Sequence, residues 1–359
     1  MSGQQSFISQ KTTSTLWDCV LVGAGISGLA AREKLSEAGL KTITLEKSRG
    51  LGGRMSTRRL RDSHVGDPGS NSESLIDLGA QFVSARGKAF KELVVAASME
   101  KIYLNTDSVY PRYIHPRGMS KLAHFLGERI NETQAPILRQ CKVTQIRVDT
   151  DPLFWRVRLE SGEEMKARSV LLTAPIPQAY ELLKASGIEP ENILERELAE
   201  VRYFECIAAY FKLDSSTTIK APGVLKEVSS DISGIFDQKL KGVHSEFPYV
   251  VFHASPALSR SLWDQSQQEV LSHLSNALLP YLSGPKENGT QWNESNSGVH
   301  RWRFCQSLSP LKMPFLRWHT RLPLYFCGDG FLESKVEGAF DSGQAAASAL
   351  VNEIKRMPQ

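Results

Sequence analysis

The hydrophobic positions of this chain change their period several times, and each change marks an element. Asp18-Cys19-Val20-Leu21-Val22 is a short apolar run that predicts a buried strand. It breaks at once into Gly23-Ala24-Gly25-Ile26-Ser27-Gly28, a helical pattern follows from Leu29 to Ala38, and Gly39 supplies a C-terminal stop. Thr42-Ile43-Thr44-Leu45 is a second strand, ending at Glu46, and the simplest reading is a parallel pair joined by a crossover helix. Met119, Leu122, Ala123, Leu126 and Ile130 recur at helical spacing. Between residues 137 and 172 the period becomes two: Trp155, Val157 and Leu159 alternate with Arg156, Arg158 and Glu160 before Ser161-Gly162 turns the chain. Ser169-Val170-Leu171-Leu172 reads as another buried strand. The stretch 179–299 mixes a helix over Glu269–Leu282 with a strand at Tyr249–His253. Leu324–Cys327 is again a buried strand, followed by Gly328-Asp329-Gly330 and a small-residue helix from Gly338 to Ile354.

Nucleotide-binding elements thus open and close the chain. The expected organisation is a discontinuous nucleotide-binding domain over 17–95, 116–178 and 299–359, with a second, α+β domain from 96–115 and 179–298. Residues 1–16, rich in Ser, Gln and Thr, are expected to be a disordered leader, and the polar Asp62–Ser74 a surface insertion.

Composition narrows the function classes. The chain has 359 residues, 41% hydrophobic and 23% charged, with a formal net charge of +4. That charge is too mild to imply nucleic acid and suits a small anionic ligand. No apolar stretch approaches the roughly 18 residues of a membrane span, so no membrane partner is expected. The 5 cysteines are scattered and form no C-x-x-C, which disfavours disulfides and zinc and points to a reducing cytoplasm.

The motifs carry the chemistry. Gly23, Gly25 and Gly28 have the spacing of a dinucleotide fingerprint: a tight turn, a close backbone approach to a pyrophosphate, and close helix–strand packing. Glu46 lies 18 residues after Gly28 and can accept both ribose hydroxyls, favouring FAD or NAD over NADP. Gly50-Leu51-Gly52-Gly53-Arg54 follows as a second glycine cradle, with Arg54 either donating to the pyrophosphate or orienting the loop. A second cradle of this kind suits FAD. Gln81, in Asp77-Leu78-Gly79-Ala80-Gln81-Phe82, is placed to reach the edge of a flat ring. Gly328-Asp329 suits the ribityl–phosphate region, and the helix near Val336-Glu337-Gly338-Ala339 would stabilise negative charge on a reduced flavin.

Together these segments resemble the FAD-dependent amine-oxidase-like superfamily, most of all its renalase branch. The likeness runs from Asp18 to about Asn352 and includes Lys47-Ser48-Arg49-Gly50-Leu51-Gly52-Gly53-Arg54-Met55-Ser56, Phe252-His253-Ala254-Ser255 and His300-Arg301-Trp302. It implies an α/β, Rossmann-type FAD-binding domain with an inserted α+β substrate domain, and non-covalent FAD. Val143 would lie beside the adenine and Glu46 on the ribose. Ala24, Gly28, Arg49 and Arg54 would hold the phosphates and Asp329 the ribityl end. Gly52, Gln81, Val336 and Ala339 would surround the isoalloxazine.

The implied reaction is oxidation of 2- and 6-dihydro isomers of NAD(P) to NAD(P)+, with oxygen going to hydrogen peroxide. Its partners are a small dinucleotide substrate and oxygen. Gln81, His253 and His300 are the candidate catalytic residues: His253 as a contact to a carboxamide or phosphate or as a satisfied strand histidine, His300 as a similar contact or a local cap. Hydride loss from a dihydropyridine needs no general base. The alternatives are an amine or amino-acid oxidase, for which Trp318 and Phe331 offer aromatics and Lys335 a lysine, and a flavoprotein without turnover.

Overall fold

A computed structural model of the chain describes residues 8–61, 73–102, 109–219, 223–283 and 296–357. The chain divides into two compact units, Met1–Gly53 with His124–Arg202 and Ser307–Gln359, and Arg54–Ala123 with Tyr203–Gln306. The expected insertion Asp62–Ser74 lies outside the described residues, except that Glu73 and Ser74 begin the strand Glu73–Asp77.

The first unit holds the mainly parallel sheet that the sequence implies. Cys19–Val22 pairs in parallel with Thr42–Glu46 on one side and Val170–Leu172 on the other. Ile137–Arg139 and Leu324–Phe326 extend it in parallel, and Leu316–Arg317 adds an antiparallel edge. The central strands are buried on both faces, which is why they read as unbroken apolar runs. The first helix, Ile26–Glu37, and the C-terminal helix, Val336–Ile354, share one apolar core with this sheet, built on Leu21, Leu35, Leu171, Ala346 and Leu350. They approach with no room to spare: a Cβ on Gly343 would stand 2.2 Å from the carbonyl oxygen of Ser27.

The alternating segment forms a separate sheet, in which Leu153–Leu159 lies between Val143–Thr150 and Glu164–Ala167 and buries Trp155, Val157 and Leu159. The expected disordered leader is corrected over its described part. Gln10–Ser14 is a short helix, and Leu16–Trp17 pairs with Lys166 and Ala167 because the Trp17 indole is buried and donates to the Thr12 carbonyl.

The second unit is built on a five-stranded sheet, its first four strands antiparallel, in the order Val224–Lys226, Ile232–Asp237, Tyr249–Ala254, Tyr203–Lys212, Ser297–Ser307. One face, with Ile207, Phe211, Ile235 and Phe252, packs on the helices Pro256–Ser261 and Gln267–Leu278. The other face presents Tyr210, Val224, Phe236, Tyr249 and Val251 to Ile76 and Leu78. That contact explains why residues 54–95, expected in the nucleotide-binding domain, belong to this unit. The hairpin of Thr57–Arg61 with Glu73–Asp77 delivers Ile76 and Leu78 to its core. Residues 179–202 go the opposite way: buried Glu195 of the helix Ile193–Glu200 accepts the backbone N–H of His319 in the first unit.

The helix contact yields a direct test. Gly343→Ala should lower the unfolding free energy by about 1–3 kcal/mol, the usual range for overpacking where backbone must move. Denaturant titration should show a lower midpoint, and an unchanged midpoint would refute the close approach.

Candidate functional site

In the first unit, three loops converge on the start of the first helix. Gly23 takes φ +113°, and a Cβ there would meet the Thr173 hydroxyl at 2.6 Å. That hydroxyl donates towards the carbonyls of Val22 and Gly23, each at 3.1 Å. Gly28 lies so close to the turn that a Cβ would stand 2.1 Å from the Gly23 carbonyl oxygen. Gly25 is different. It is the helix N-cap, has φ −71° and makes no side-chain cap bond, and a Cβ on it would have nothing within 4 Å. The helix therefore begins with no side chain over its N-cap and no side-chain partner for its first N–H groups.

The second glycine segment lies against the first. Gly52 donates its N–H to the Ala24 carbonyl at 2.9 Å and bridges to Gly25, and a Cβ on Gly53 would be 3.9 Å from Gly25 Cα. Glu46, buried at the end of its strand, accepts the Ala24 N–H on one oxygen and the Ser48 N–H on the other, both at 2.8 Å. Each oxygen keeps a second lone pair for a hydroxyl donor. Arg49 is exposed on the following loop, and Val143 is half-buried at the start of its strand. Gly328 sits near Thr173, its N–H held by the Ser342 hydroxyl at 2.9 Å, and buried Asp329 accepts from the Ser334 hydroxyl. Lys335, the N-cap of the C-terminal helix, makes no side-chain cap bond, and half-buried Val336 and buried Ala339 line its first turn. A helix start without a side-chain cap beside a glycine cradle, with a carboxylate at the next strand end, fits the pyrophosphate and ribose of a dinucleotide.

The second unit holds the remaining expected residues, and it changes the reading of several. Gln81 is buried and its amide is spent. Its Nε2 donates to the carbonyls of Asp77 and Gly79, and its Oε1 accepts from Gln238 at 3.1 Å and Lys241 at 2.7 Å. With all four sites used, it anchors the Gly79-Ala80 turn and has nothing left for a ring edge. A Cβ on Gly79 would fall 1.9 Å from the Arg54 carbonyl oxygen, so that turn also packs backbone to backbone. Arg54 directs Nη1 to the carbonyls of Phe304 and Cys305 and lies over the Tyr203 ring. Of its two expected roles, orienting the loop is the one this geometry describes.

Beneath the turn is a polar group that the sequence did not signal. Lys241 and Asp77 are fully buried and paired at 3.0 Å. The other Asp77 oxygen accepts the Thr57 hydroxyl at 2.6 Å and the Met119 N–H at 2.8 Å. Burial pushes the Lys241 ammonium below its usual range, and the Asp77 charge opposes that shift.

His253 is partly buried between Ala208 and Gly234 on the neighbouring strands, and its Nε2 bonds the Leu78 carbonyl at 2.9 Å. The Trp302 indole donates to the same carbonyl at 3.2 Å. His300 packs edge-on against Trp302, with ring centroids 4.1 Å apart. Burial drives the His253 pKa down to about 4, helped by the Lys241 charge and opposed by the Leu78 bond. The ring is therefore neutral at physiological pH and Nε2 carries the proton. Arg301 faces away and binds the carbonyls of Trp263 and Gln265.

The residues proposed for amine chemistry do not form a cage. Trp318 and Phe331 are fully buried in the first unit, where Trp318 packs on Tyr180 and Phe326. Lys335 is exposed and paired with Glu333 at 3.1 Å. A cavity of about 580 Å³ in the second unit, lined by residues such as Glu73, Glu100 and His244, includes none of the expected site residues.

The depressed His253 pKa makes stability depend on pH. The unfolded chain takes up the proton near pH 6.5, before the folded chain does. Stability should be unaffected by this group above about pH 6.5 and fall as the pH drops towards 4, by at most about 1.4 kcal/mol per pH unit. Denaturant unfolding across that window should lose this slope in His253→Gln, and an identical slope in the variant would refute the assignment.

Comparison with known proteins agrees with this geometry. Residues 21–96 match the model of the NAD(P)-binding Rossmann-like domain, and residues 106–351 that of the flavin-containing amine oxidoreductases. Similar solved structures include cyclohexylamine oxidase from Brevibacterium oxydans IH-35A, at TM-score 0.65 and 13% identity, covering 95% of this chain and 100% of that one. Wild-type putrescine oxidase bound to putrescine matches at TM-score 0.59 and 14% identity, over 94% of this chain and 99% of that one. At such identities these structures show the shared fold. The cofactor is FAD, for which the cradle at Gly25 and the Glu46 carboxylate are suited. With its fold, its glycine cradle and most of its length in agreement, the chain belongs to the flavin-containing amine oxidoreductase family.

Proposed function

We propose that this flavin oxidoreductase oxidises the 2- and 6-dihydro isomers of NAD(P) to NAD(P)+, holding FAD without a covalent link. Bound FAD supplies hydride acceptance and reoxidation by oxygen to hydrogen peroxide. The chain's own residues bind and orient. Gly25, Gly28, Gly52 and Ala24 cradle phosphates, Glu46 accepts ribose hydroxyls and Asp329 takes the ribityl end. Val336 and Ala339 bring the C-terminal helix start to the ring, while Arg49 and Val143 keep their outer roles at phosphate and adenine. His253 and His300 present polar edges to the substrate. The 5 cysteines, none in a disulfide, support a cytoplasmic setting, and no described helix is long and apolar enough to cross a membrane.

The observation that carries this reading is the state of the second unit's titratable groups. An amine reaches such a site as an ammonium ion and must lose a proton before giving up hydride. Lys241 is locked on Asp77 and Gln81. His253 commits its N–H to Leu78 and has a pKa of about 4, so it is a poor proton acceptor at neutral pH. A dihydropyridine asks for neither, because its ring nitrogen lone pair drives hydride loss. The second reading, amine oxidation, draws on the named activities of the similar structures.

Single-turnover reduction without oxygen separates the two. The 2- and 6-isomers should bleach the flavin rapidly, with ordinary 4-dihydro NAD(P)H slower by on the order of a hundredfold, the usual effect of misplacing a reacting carbon by about 1 Å. Fast bleaching by an amine alone would transfer the protein to the second reading.

Cofactor placement has its own test. Gly25→Ala should fold with unchanged stability, since the new methyl meets no protein atom, yet retain FAD at least about tenfold more weakly. Acid precipitation should release the flavin of the parent protein into the supernatant. Tight FAD retention by the variant would remove Gly25 from the cradle, and flavin in the pellet would overturn the non-covalent assignment.

A further inference from the structure

Two arginines lie over aromatic rings of the apolar cluster on the sheet face of Tyr210, Tyr249 and Val251, and neither has a described carboxylate partner. Arg112, on the strand Arg112–Ile114, sets its guanidinium 4.6 Å from the centroid of the Phe82 ring. Its Nε and Nη1 are inside the protein and have no hydrogen-bond partner. Burial pushes its pKa down, and among the described residues no acid offsets the charge. Lys226 lies over the same ring at 5.4 Å. Arg58 stands exposed, 5.3 Å over the Tyr210 ring, and its charge reaches Tyr210 and His300. No ion pair joins Arg58 or Arg112 to a described carboxylate, and Asp77 below them is already neutralised by Lys241.

Phe82 and Tyr210 belong to one apolar cluster. The strands of Lys226 and Tyr210 are separated by two others, a span of roughly 14 Å at the usual strand spacing. His253 lies on one of the strands between them.

Buried guanidinium donors left without partners are costly, and a ring face repays only part of that cost. The arrangement is completed by an anion. A positive charge over Tyr210 also takes the place an ammonium would occupy on that ring, and repels it. We propose that Arg58 and Arg112 bind the phosphate groups of the substrate, so that this face selects an extended phosphate-bearing anion over a cationic amine. The proposal rests on the dihydropyridine-dinucleotide reading and extends it to the groups that recognise the phosphates.

The test is a binding titration on the FAD-loaded protein, followed by the flavin absorption band and by calorimetry, with NAD+, inorganic pyrophosphate and nicotinamide riboside as probes. Arg58→Gln and Arg112→Gln should each raise the NAD+ dissociation constant about tenfold, and the double variant about a hundredfold. Pyrophosphate should weaken in parallel, while nicotinamide riboside, which lacks phosphate, stays unchanged. Arg59→Gln removes a charge from the same strand, but that arginine pairs with Glu73 at 3.6 Å. It should bind all three probes as the parent does.

NAD+ affinity unchanged in both variants, or riboside affinity lost equally, would overturn the proposal. If the parent binds pyrophosphate in an arginine-dependent way but not NAD+, the anion site stands and the dinucleotide reading falls. If it binds neither, the anion site falls, and the bleaching comparison of the isomers still decides the reaction.

Discussion

Backbone approaching backbone is the constraint on which the first unit depends. Gly28 brings the first helix onto the Gly23 turn, and Gly343 brings the C-terminal helix onto Ser27. A side chain at these points would stand about 2 Å from a backbone oxygen and force the elements apart. Thr173 fastens the assembly from the neighbouring strand by donating to the turn's carbonyls. Gly25 differs from Gly23 and Gly28 in that a side chain there would meet no protein atom, so the space beside it is available to a ligand.

The second unit uses polar groups to the same end. Thr57, Asp77, Gln81, Gln238, Lys241 and the Met119 N–H form one closed network around a buried ion pair. Breaking such a pair is costly, because the surviving charge is stranded. The network holds the Gly79-Ala80 turn, and it explains why Gln81 has no donor or acceptor to spare. Arg54 is consumed in the same way by two carbonyls of the strand Ser297–Ser307. Both residues look like ligands in the sequence because they adjoin glycines. In the structure they make the glycine turns stiff enough to serve a ligand.

How far the sequence could be read follows from the range of the interactions. Cys19–Val22, Thr42–Glu46, Val170–Leu172 and Leu324–Phe326 were legible because a buried parallel strand is an unbroken apolar run bounded by glycine. Leu153–Leu159 was legible from its alternation. The place of Glu46 at the end of its strand was legible from its distance from Gly28. Lys241 was not, since its partner Asp77 lies 164 residues away and Lys239-Leu240-Lys241-Gly242 reads as a solvated turn. The domain boundary at residue 54 was missed for a related reason. Ile76 and Leu78 alternate like any strand, and nothing local says that their apolar face belongs to the sheet of Tyr210 and Tyr249. Trp318 and Phe331 show the converse error, in which aromatics suited to a cage are core residues.

The two units also treat buried charge in opposite ways, and this bears on the chemistry. Glu46 is held by two backbone N–H groups and still has lone pairs for hydroxyl donors, so it is an open acceptor. In the second unit the buried Asp77 carboxylate is paired with Lys241, His253 is neutral, and Arg58 and Arg112 hold positive charge over aromatic rings. Such a face has little to offer a reaction that must first strip a proton from a cation. It has much to offer one in which an electron-rich ring arrives with negative charge elsewhere on the molecule, since orientation by the phosphates leaves the reacting carbon free of protein groups. Catalysis of that kind rests on position more than on acid–base exchange. A rigid turn, a closed polar network and a neutral histidine are what position requires.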